Sequence, residues 1–272
     1  MPLFDRDYEV ILADTEASRA IHRKIRYHVY CLEHRFENPG AFPRGEEHDA
    51  WDNHSALFIV RNRRSGTWVA AVRLVLPHGA SFPLEKLNCL TSDIDRPSRN
   101  AFAEASRICI IRSSSPWQIN PHMDWDYGHV GRTGESEILL GMLRTLFVYC
   151  AKHSLEYVYL LITDALARLL RRWGLVLHSI GTRIDHRGLR APYLVKRLES
   201  IKSMGEKSVL VRDLLARQTL AYRPFSAFSA TEEISVPMLP AASFPPPTAD
   251  LSWRMDGASR SRPGPGAWRG AA

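Results

Sequence analysis

The spacing of hydrophobic residues in the first half of the chain predicts one helix followed by a β-hairpin. Apolar residues at helical spacing predict a helix over residues 15–33. They are Ile21, Ile25, Val29 and Leu32. Two extended apolar runs, residues 55–61 and 67–76, flank the turn-forming sequence Asn-Arg-Arg-Ser-Gly and predict a hairpin. Between them and the helix, residues 35–53 form a long loop rich in Gly, Pro and charge, a length typical of functional loops.

The second half alternates between strand and helix patterns. It predicts strands over residues 103–111, 156–162, 175–180 and 191–198, and helices over residues 135–153 and 164–173. We expect Asp164 to cap the second of these helices. Helices interleaved with strands favour an α/β fold with a mixed central sheet covered on both faces.

Composition divides the chain near residue 222. The segment 224–272 holds 8 of the 17 prolines and four residues of each charge, so the formal charge of +7 belongs to the first part. We therefore predict a single folded domain over residues 1–222 and a disordered Pro/Ala/Ser-rich tail over residues 223–272.

Composition and charge also narrow the function classes. The four cysteines, Cys31, Cys89, Cys109 and Cys150, form no CxxC pair, which argues against a zinc or disulfide scaffold and favours a reducing cytoplasm. The histidines lack metal-ligand spacing, so we expect no metal. The sequence predicts neither a secretory signal nor a transmembrane span. The positive charge favours an acidic partner. Oligomeric state cannot be inferred.

Charged residues within or beside apolar runs are the main functional signal. Arg73 interrupts a strand-like run, and Glu104 and Arg107 flank Ser106 at the start of the predicted central strand. Buried charges need partners, and a guanidinium pairs readily with carboxylates. We therefore expect Arg26, Glu47, Asp49, Asp52, Arg73, Glu104 and Arg107 to form a network that folds the loop onto the sheet.

The same residues resemble the acyl-homoserine-lactone synthases and N-acyl amino acid synthases, a branch of the GNAT-like acyltransferases. The shared pattern is an Arg on the first helix followed by two aromatic residues, then Asp-x-x-Asp, Arg-Leu and Glu-x-Ser-Arg. Here these are Arg26, Tyr30, Phe36, Asp49, Asp52, Arg73, Leu74, Glu104, Ser106 and Arg107. Strings such as Phe42-Pro43-Arg44-Gly45-Glu46-Glu47-His48-Asp49 look like the PEP-CTERM/exosortase system-associated acyltransferases. The resemblance covers about residues 5–200.

The resemblance implies a GNAT-like fold and transfer of a fatty acyl group from acyl carrier protein, or acyl-CoA, to the amine of an amino acid or similar acceptor. No tightly bound cofactor and no nucleic acid are implied. We expect Glu104 to be the base, with Arg107 and Arg73 also catalytic. Backbone N–H groups near Arg107 to Cys109 would bind the developing oxyanion. The expected substrate-binding residues are Arg26, Tyr30, Phe36, Glu47, Asp49, Asp52, Ser106 and Cys109.

Partner and substrate contacts are expected in the second half. Six arginines offer a surface for an acidic carrier protein: Arg168, Arg171, Arg172, Arg183, Arg187 and Arg190. Trp117, Leu139, Leu143 and Phe147 are candidates to line an acyl tunnel. Gly128, Gly131 and Gly134 form at best a poor phosphate-binding turn, which favours carrier protein over coenzyme A.

Alternative interpretations stay open at this point. The ion pairs could serve only to hold the helix and loop on the sheet, because such networks form without catalysis. An acetyl-CoA-dependent N-acetyltransferase is the rival enzyme. A non-catalytic module that binds an acidic partner through its basic face is the rival from another class.

Overall fold

The computed structural model describes residues 3–79, 81–91, 98–111 and 132–228. Its α-helices are α1 (Leu3–Asp7), α2 (Glu16–Tyr27), α3 (Arg132–Lys152), α4 (Asp164–Arg172), α5 (Arg197–Lys207) and α6 (Val209–Ala216). Its strands are β1 (Tyr8–Leu12), β2 (Ser55–Asn62), β3 (Trp68–Val75), β4 (Phe102–Ile110), β5 (Tyr157–Ile162), β6 (His178–Ser179), β7 (Ile184–Asp185), β8 (Leu189–Lys196) and β9 (Arg223–Pro224). A π-helix, His28–Glu33, continues α2.

The strands of the described residues form one mixed sheet in the order β6-β8-β5-β4-β3-β2-β1-β9, and β7 pairs with β8. The β4–β5 and β1–β9 pairs are parallel, and the other pairs are antiparallel. The predicted mixed sheet is therefore confirmed. No helix in the described ranges has the length and apolar character needed to cross a bilayer.

Both faces of the sheet carry apolar side chains, because successive side chains of a strand point to opposite faces. On one face α3 packs Ile138, Met142 and Leu146 against the main core. On the other face α2 packs Ile21 and Ile25, and a smaller cluster surrounds Phe82. Arg73 lies between Val72 and Leu74 of the main core, so its side chain faces the α2 side.

The ends of the elements differ from the sequence expectations in several places. Thr163, not Asp164, caps α4, because its hydroxyl accepts the Leu166 N–H at 3.3 Å. The predicted strand over residues 175–180 shrinks to β6. Strands β1 and β9 and helices α5 and α6 were not predicted. The first residues of the predicted tail, Arg223 and Pro224, pair with β1. The rest of that tail, from residue 229, lies outside the described residues.

Candidate active site

The loop of residues 35–53, which we call the cap, is folded over the α2 side of the sheet by a network of buried ion pairs. Arg26 on α2 pairs with Glu47 of the cap, and its Nη1 donates to Asp52 at 2.6 Å. Arg26 is completely buried and Glu47 is 1% exposed. The backbone N–H of Glu47 also donates to the Arg23 carbonyl at 3.2 Å, which fixes the loop on the helix. The cap is thus attached to α2 through both side chain and backbone.

The strands contribute the other two arginines of this network. Arg73 on β3 pairs with Asp49 and donates to Asp52 at 2.7 Å. Arg107 on β4 donates to Glu47 at 3.0 Å and to Asp49 at 3.1 Å. Three guanidinium groups thus share three carboxylates. Burial alone would raise the pKa of each carboxyl, but the arginines outweigh it and hold the pKa values of Glu47, Asp49 and Asp52 below their ordinary range.

The local sequence prepares these carboxylates for their partners. Asp49 is the N-cap of a short 3-10 helix, Ala50–His54, and accepts the Trp51 N–H at 3.0 Å. Asp52 accepts the Asp49 N–H at 3.2 Å and completes a capping box. The spacing Asp-x-x-Asp therefore positions two carboxylates on one turn, each with oxygen atoms left for Arg73.

Glu104 lies beside the network without joining it. Its side chain is buried on β4, and one carboxylate oxygen accepts the Leu84 N–H at 2.8 Å. Burial raises the pKa of Glu104 to about 8, although the Leu84 N–H and Arg73 act in the opposite direction. A carboxyl group with this pKa exchanges a proton readily near neutral pH, as a general acid or base must.

Strand β4 parts from β5 just beyond Glu104. The parallel ladder between them ends at the pair Ala105–Leu160. The register between β4 and β3 shifts in the same region, and Arg107 adopts a left-handed conformation with φ of 51°. This bulge lies at the start of the segment, Arg107 to Cys109, whose backbone N–H groups were expected to bind the oxyanion. It leaves the β5-facing edge of β4 beyond Ala105 unpaired by β5.

Two cavities meet at this point and share the β4 segment from Ala105 to Arg107 together with Tyr30. One cavity, about 210 Å³, is lined by the apolar side chains of Val29, Phe36, Ile108, Ile110, Leu161 and Leu166 and by polar residues that include His34 and Thr163; we call it the apolar cavity. The other, about 170 Å³, is lined by the charged side chains of Asp49, Arg73 and Glu104, by Trp51, Ser106 and residues of the β7–β8 turn, and by the apolar Pro83, Leu84 and Leu87; we call it the polar cavity. Both linings are mixed, and the acidic side chains lie in the second.

The fold can now be compared with known proteins. A model of the acetyltransferase (GNAT) domain matches residues 25–114, which include the cap, Arg73, Glu104 and Arg107. The acyl-homoserine-lactone synthase LasI superposes with a TM-score of 0.52 at 16% identity, covering 70% of this chain and 90% of LasI. This is the GNAT fold.

Two further solved structures have the same fold. TofI, in a complex with an inhibitor and MTA, gives a TM-score of 0.55 at 15% identity, over 72% of this chain and 96% of TofI. BjaI, a CoA-dependent acyl-homoserine-lactone synthase solved with SAM and isopentyl-CoA, gives 0.54 at 15% identity, over 79% and 99%. Among curated proteins none matches the sequence significantly. The domain match and the shared fold together point to an acyltransferase. The association with PEP-CTERM systems stays a prediction.

The structure separates the predicted site residues into two groups. Residues that line a cavity are Tyr30, Phe36, Asp49, Arg73, Glu104, Ser106 and Arg107. Arg26, Glu47, Asp52 and Cys109 line neither cavity. The first three of these hold the cap. Cys109 is 1% exposed and packs in the core with Ile25 and Val29, so its side chain is not placed to touch substrate.

Several predicted contacts lie elsewhere. Leu139, Leu143 and Phe147 belong to the main core and line neither cavity, because α3 covers the opposite face of the sheet. Gly134 lies within α3. Trp117, Gly128 and Gly131 lie outside the described residues.

Two of the six arginines expected on the carrier-protein surface belong to the cavities instead. Arg187 lines the polar cavity, and Arg190 lines both cavities. The sequence signal for Arg190 was its position directly before the apolar run Ala191–Val195, a context like that of Arg73.

Proposed function

We propose that this protein transfers a fatty acyl group from acyl carrier protein, or from acyl-CoA, to the amine of an amino acid or a related small acceptor. The observation that carries the proposal is the position of Glu104. A carboxyl group with a pKa of about 8 lines the polar cavity where that cavity meets an apolar one. The acceptor amine would occupy the polar side, and the thioester of the donor would lie at the junction.

The reaction assigned to Glu104 is proton removal from the attacking amine. The amine nitrogen forms a bond to the thioester carbonyl carbon, the C–S bond breaks, and the sulfur leaves as a thiol. Glu104 takes the amine proton and can return a proton to the leaving sulfur, so the enzyme ends each cycle unchanged. General-base help of this kind typically contributes about 10²–10⁴-fold in rate.

We place the thioester of the acyl donor at the gap between β4 and β5. On the β5-facing edge of β4, the backbone N–H groups beyond Ala105 have no ladder partner in β5 and are available to other acceptors. One of them can donate to the oxyanion, and removal of such a donor typically costs about 10²–10³-fold in kcat. The apolar side chains along the same gap would receive the start of the acyl chain.

An acidic carrier protein is the donor that the surface favours. Arg168, Arg171 and Arg172 are exposed along α4, whose first turn contributes Leu166 to the apolar cavity. A carrier protein docked on this basic face would have its prosthetic group beside the cavity entrance. BjaI, which is described as CoA-dependent, makes acyl-CoA the alternative donor.

The test is mass spectrometry of lipid extracts from a bacterial host that expresses the protein. We expect new N-acyl amines, including N-acyl amino acids or autoinducer-like products, in cells with the wild type. Glu104→Gln should abolish them, because the amide keeps an acceptor for the Leu84 N–H but cannot take a proton. The matched control is Glu206→Gln, the same change at an exposed position on α5.

Purified protein then separates the donors. Equal amounts of acyl carrier protein and coenzyme A, each loaded with the same fatty acid, should be compared, and the carrier-protein thioester should give the higher kcat/KM. Charge reversal of Arg168, Arg171 and Arg172 should reduce that preference. If no acyl donor supports product formation in the presence of a full set of amino acids, the proposal is wrong.

Acetylation is a second candidate, because the matching domain model is that of an acetyltransferase. Turnover of acetyl-CoA alone, at a rate above that of any long-chain thioester, would favour it. The extent of the apolar cavity argues for a longer chain, since an acetyl group would leave most of its lining without contacts.

A further inference from the structure

Arg190, at the junction of the two cavities, has no carboxylate partner among the described residues. It lies at the start of β8 and lines both cavities. Its Nε is buried and has no hydrogen-bond partner among the described residues. One terminal nitrogen donates to the Arg187 carbonyl at 3.3 Å. In the described part of the chain no acidic side chain lies within ion-pair distance of Arg190, in contrast to Arg73, Arg107 and Arg187.

The surroundings of Arg190 add positive charge. Burial and the neighbouring Arg187 and Arg107 lower the pKa of Arg190. A guanidinium nevertheless stays charged at any physiological pH. Glu104 does not offset it, because a carboxyl with a pKa of about 8 is mostly protonated at pH 7. Arg187 is held by Glu37 of the cap.

The charge of the polar cavity is therefore unbalanced. Asp49, Arg73 and Arg107 belong to the cap network, in which three arginines are balanced by three carboxylates. The positive charges that remain in the lining are those of Lys86, which is exposed, and of Arg190, which is partly buried. A partly buried cation without a partner carries a desolvation cost, and a bound anion offsets that cost.

We propose that Arg190 binds the carboxylate of the acceptor and is therefore the residue by which the protein distinguishes amino acids from simple amines. This inference rests on the proposed function and names the residue that selects its acceptor. The planar guanidinium matches a carboxylate through two parallel N–H donors. An acceptor held in this way would extend its amine within the polar cavity, which Glu104 also lines.

Arg107, which also lines both cavities, is already engaged. Its guanidinium donates to Glu47 and Asp49 of the cap. Recruiting it for substrate would break two ion pairs that are largely buried. Arg190 has its donors available without that loss.

The experiment uses isothermal titration and steady-state kinetics on the full chain. The probes are the twenty common amino acids and S-adenosylmethionine, with the carboxamide of each amino acid that binds as the matched uncharged probe. Titrations are made with and without coenzyme A. The variants are Arg190→Gln, Arg190→Lys and, as control, Arg64→Gln, the same change at an arginine that is 77% exposed and lies outside both cavities.

We expect the wild type to bind at least one carboxylate probe about 10- to 100-fold more tightly than its carboxamide, the usual value of a charge-assisted hydrogen bond. Arg190→Gln should remove that difference, Arg190→Lys should restore part of it, and Arg64→Gln should preserve it. Arg190→Gln should also keep the thermal midpoint or raise it, because it removes an uncompensated charge, whereas a structural arginine would show a loss.

Two results would overturn the inference. One is an unchanged acceptor preference in Arg190→Gln together with a raised KM for the acyl donor, which would assign the arginine to a donor phosphate. The other is a wild type that binds no carboxylate probe better than its carboxamide. Tight binding of a probe without acyl transfer to it would instead count against the proposed function alone.

Discussion

Replacing Glu47 by glutamine should destabilise the protein far more than the same change at its neighbour Glu46. Glu47 is 1% exposed and is shared by Arg26 and Arg107. Glutamine keeps the shape of the side chain but leaves the buried network with one uncompensated positive charge. Breaking a buried pair in this way typically costs about 3–5 kcal/mol. Glu46 also pairs with an arginine, Arg23 at 2.8 Å, but both side chains reach solvent, and such pairs are worth about 1 kcal/mol or less.

The assay is thermal and urea unfolding of the two variants beside the wild type. For a domain of this size about 1 kcal/mol shifts the midpoint by about 2–4 °C, so Glu47→Gln should lose about 6–20 °C and Glu46→Gln no more than about 4 °C. The double variant Arg26→Leu/Glu47→Leu should be less destabilised than the sum of its single changes. Equal midpoints for the two glutamine variants would refute the view that the network holds the cap.

Three further predictions follow from the site and the core. The pH profile of kcat should rise to an inflection near pH 8 that Glu104→Gln lacks. Folding raises the pKa of the Glu104 carboxyl, so between about pH 4.5 and 8 this group ionises in the unfolded chain while it stays protonated in the folded protein. The free energy of unfolding of the wild type should therefore fall as pH rises through this range, a loss that Glu104→Gln should not show. Leu166→Trp should shift products toward shorter acyl chains, with about 0.8 kcal/mol lost for each excluded methylene, whereas the exposed Leu198→Trp should not, as judged by mass spectrometry. Gly141→Ala should cost about 1–3 kcal/mol in urea unfolding because its Cβ would lie 2.3 Å from the Phe4 ring, while Gly205→Ala, which has room in α5, should gain about 0.5–1 kcal/mol.

The ion network was predictable because its residues violate the local pattern. Arg73 within an apolar strand has to find a carboxylate, and the loop that follows the first helix supplies Asp49 and Asp52 at a spacing that suits one turn. The same reasoning led to Glu104. Its raised pKa was not predictable, since it depends on the depth of burial and on the Leu84 N–H, both set by packing.

Other features depend on pairings distant in the sequence. Strand β1 is only five residues long and becomes recognisable only through its register with β2, in which Val10 pairs with Val60. Arg190 was expected on the surface as one of six arginines in the second half, and the sequence does not tell which face of β8 meets the cavity. Cys109 was expected to contact substrate because it ends the segment whose backbone N–H groups were assigned to the oxyanion, but its side chain packs in the core.

The π-helix that continues α2 makes the length of this segment matter as much as its composition. A π-turn holds about one residue more than an α-turn, so it accommodates what amounts to a single inserted residue. Here that extra residue lets Val29 and Tyr30 both remain buried behind Ile25. Deleting one residue would restore α-helical phase and carry Cys31 toward the place of Tyr30 at both cavities. We therefore expect insertions and deletions to be excluded from residues 28–33. They should be tolerated at the exposed turn Arg63–Ser65, where a change of one residue does not rotate a following helix.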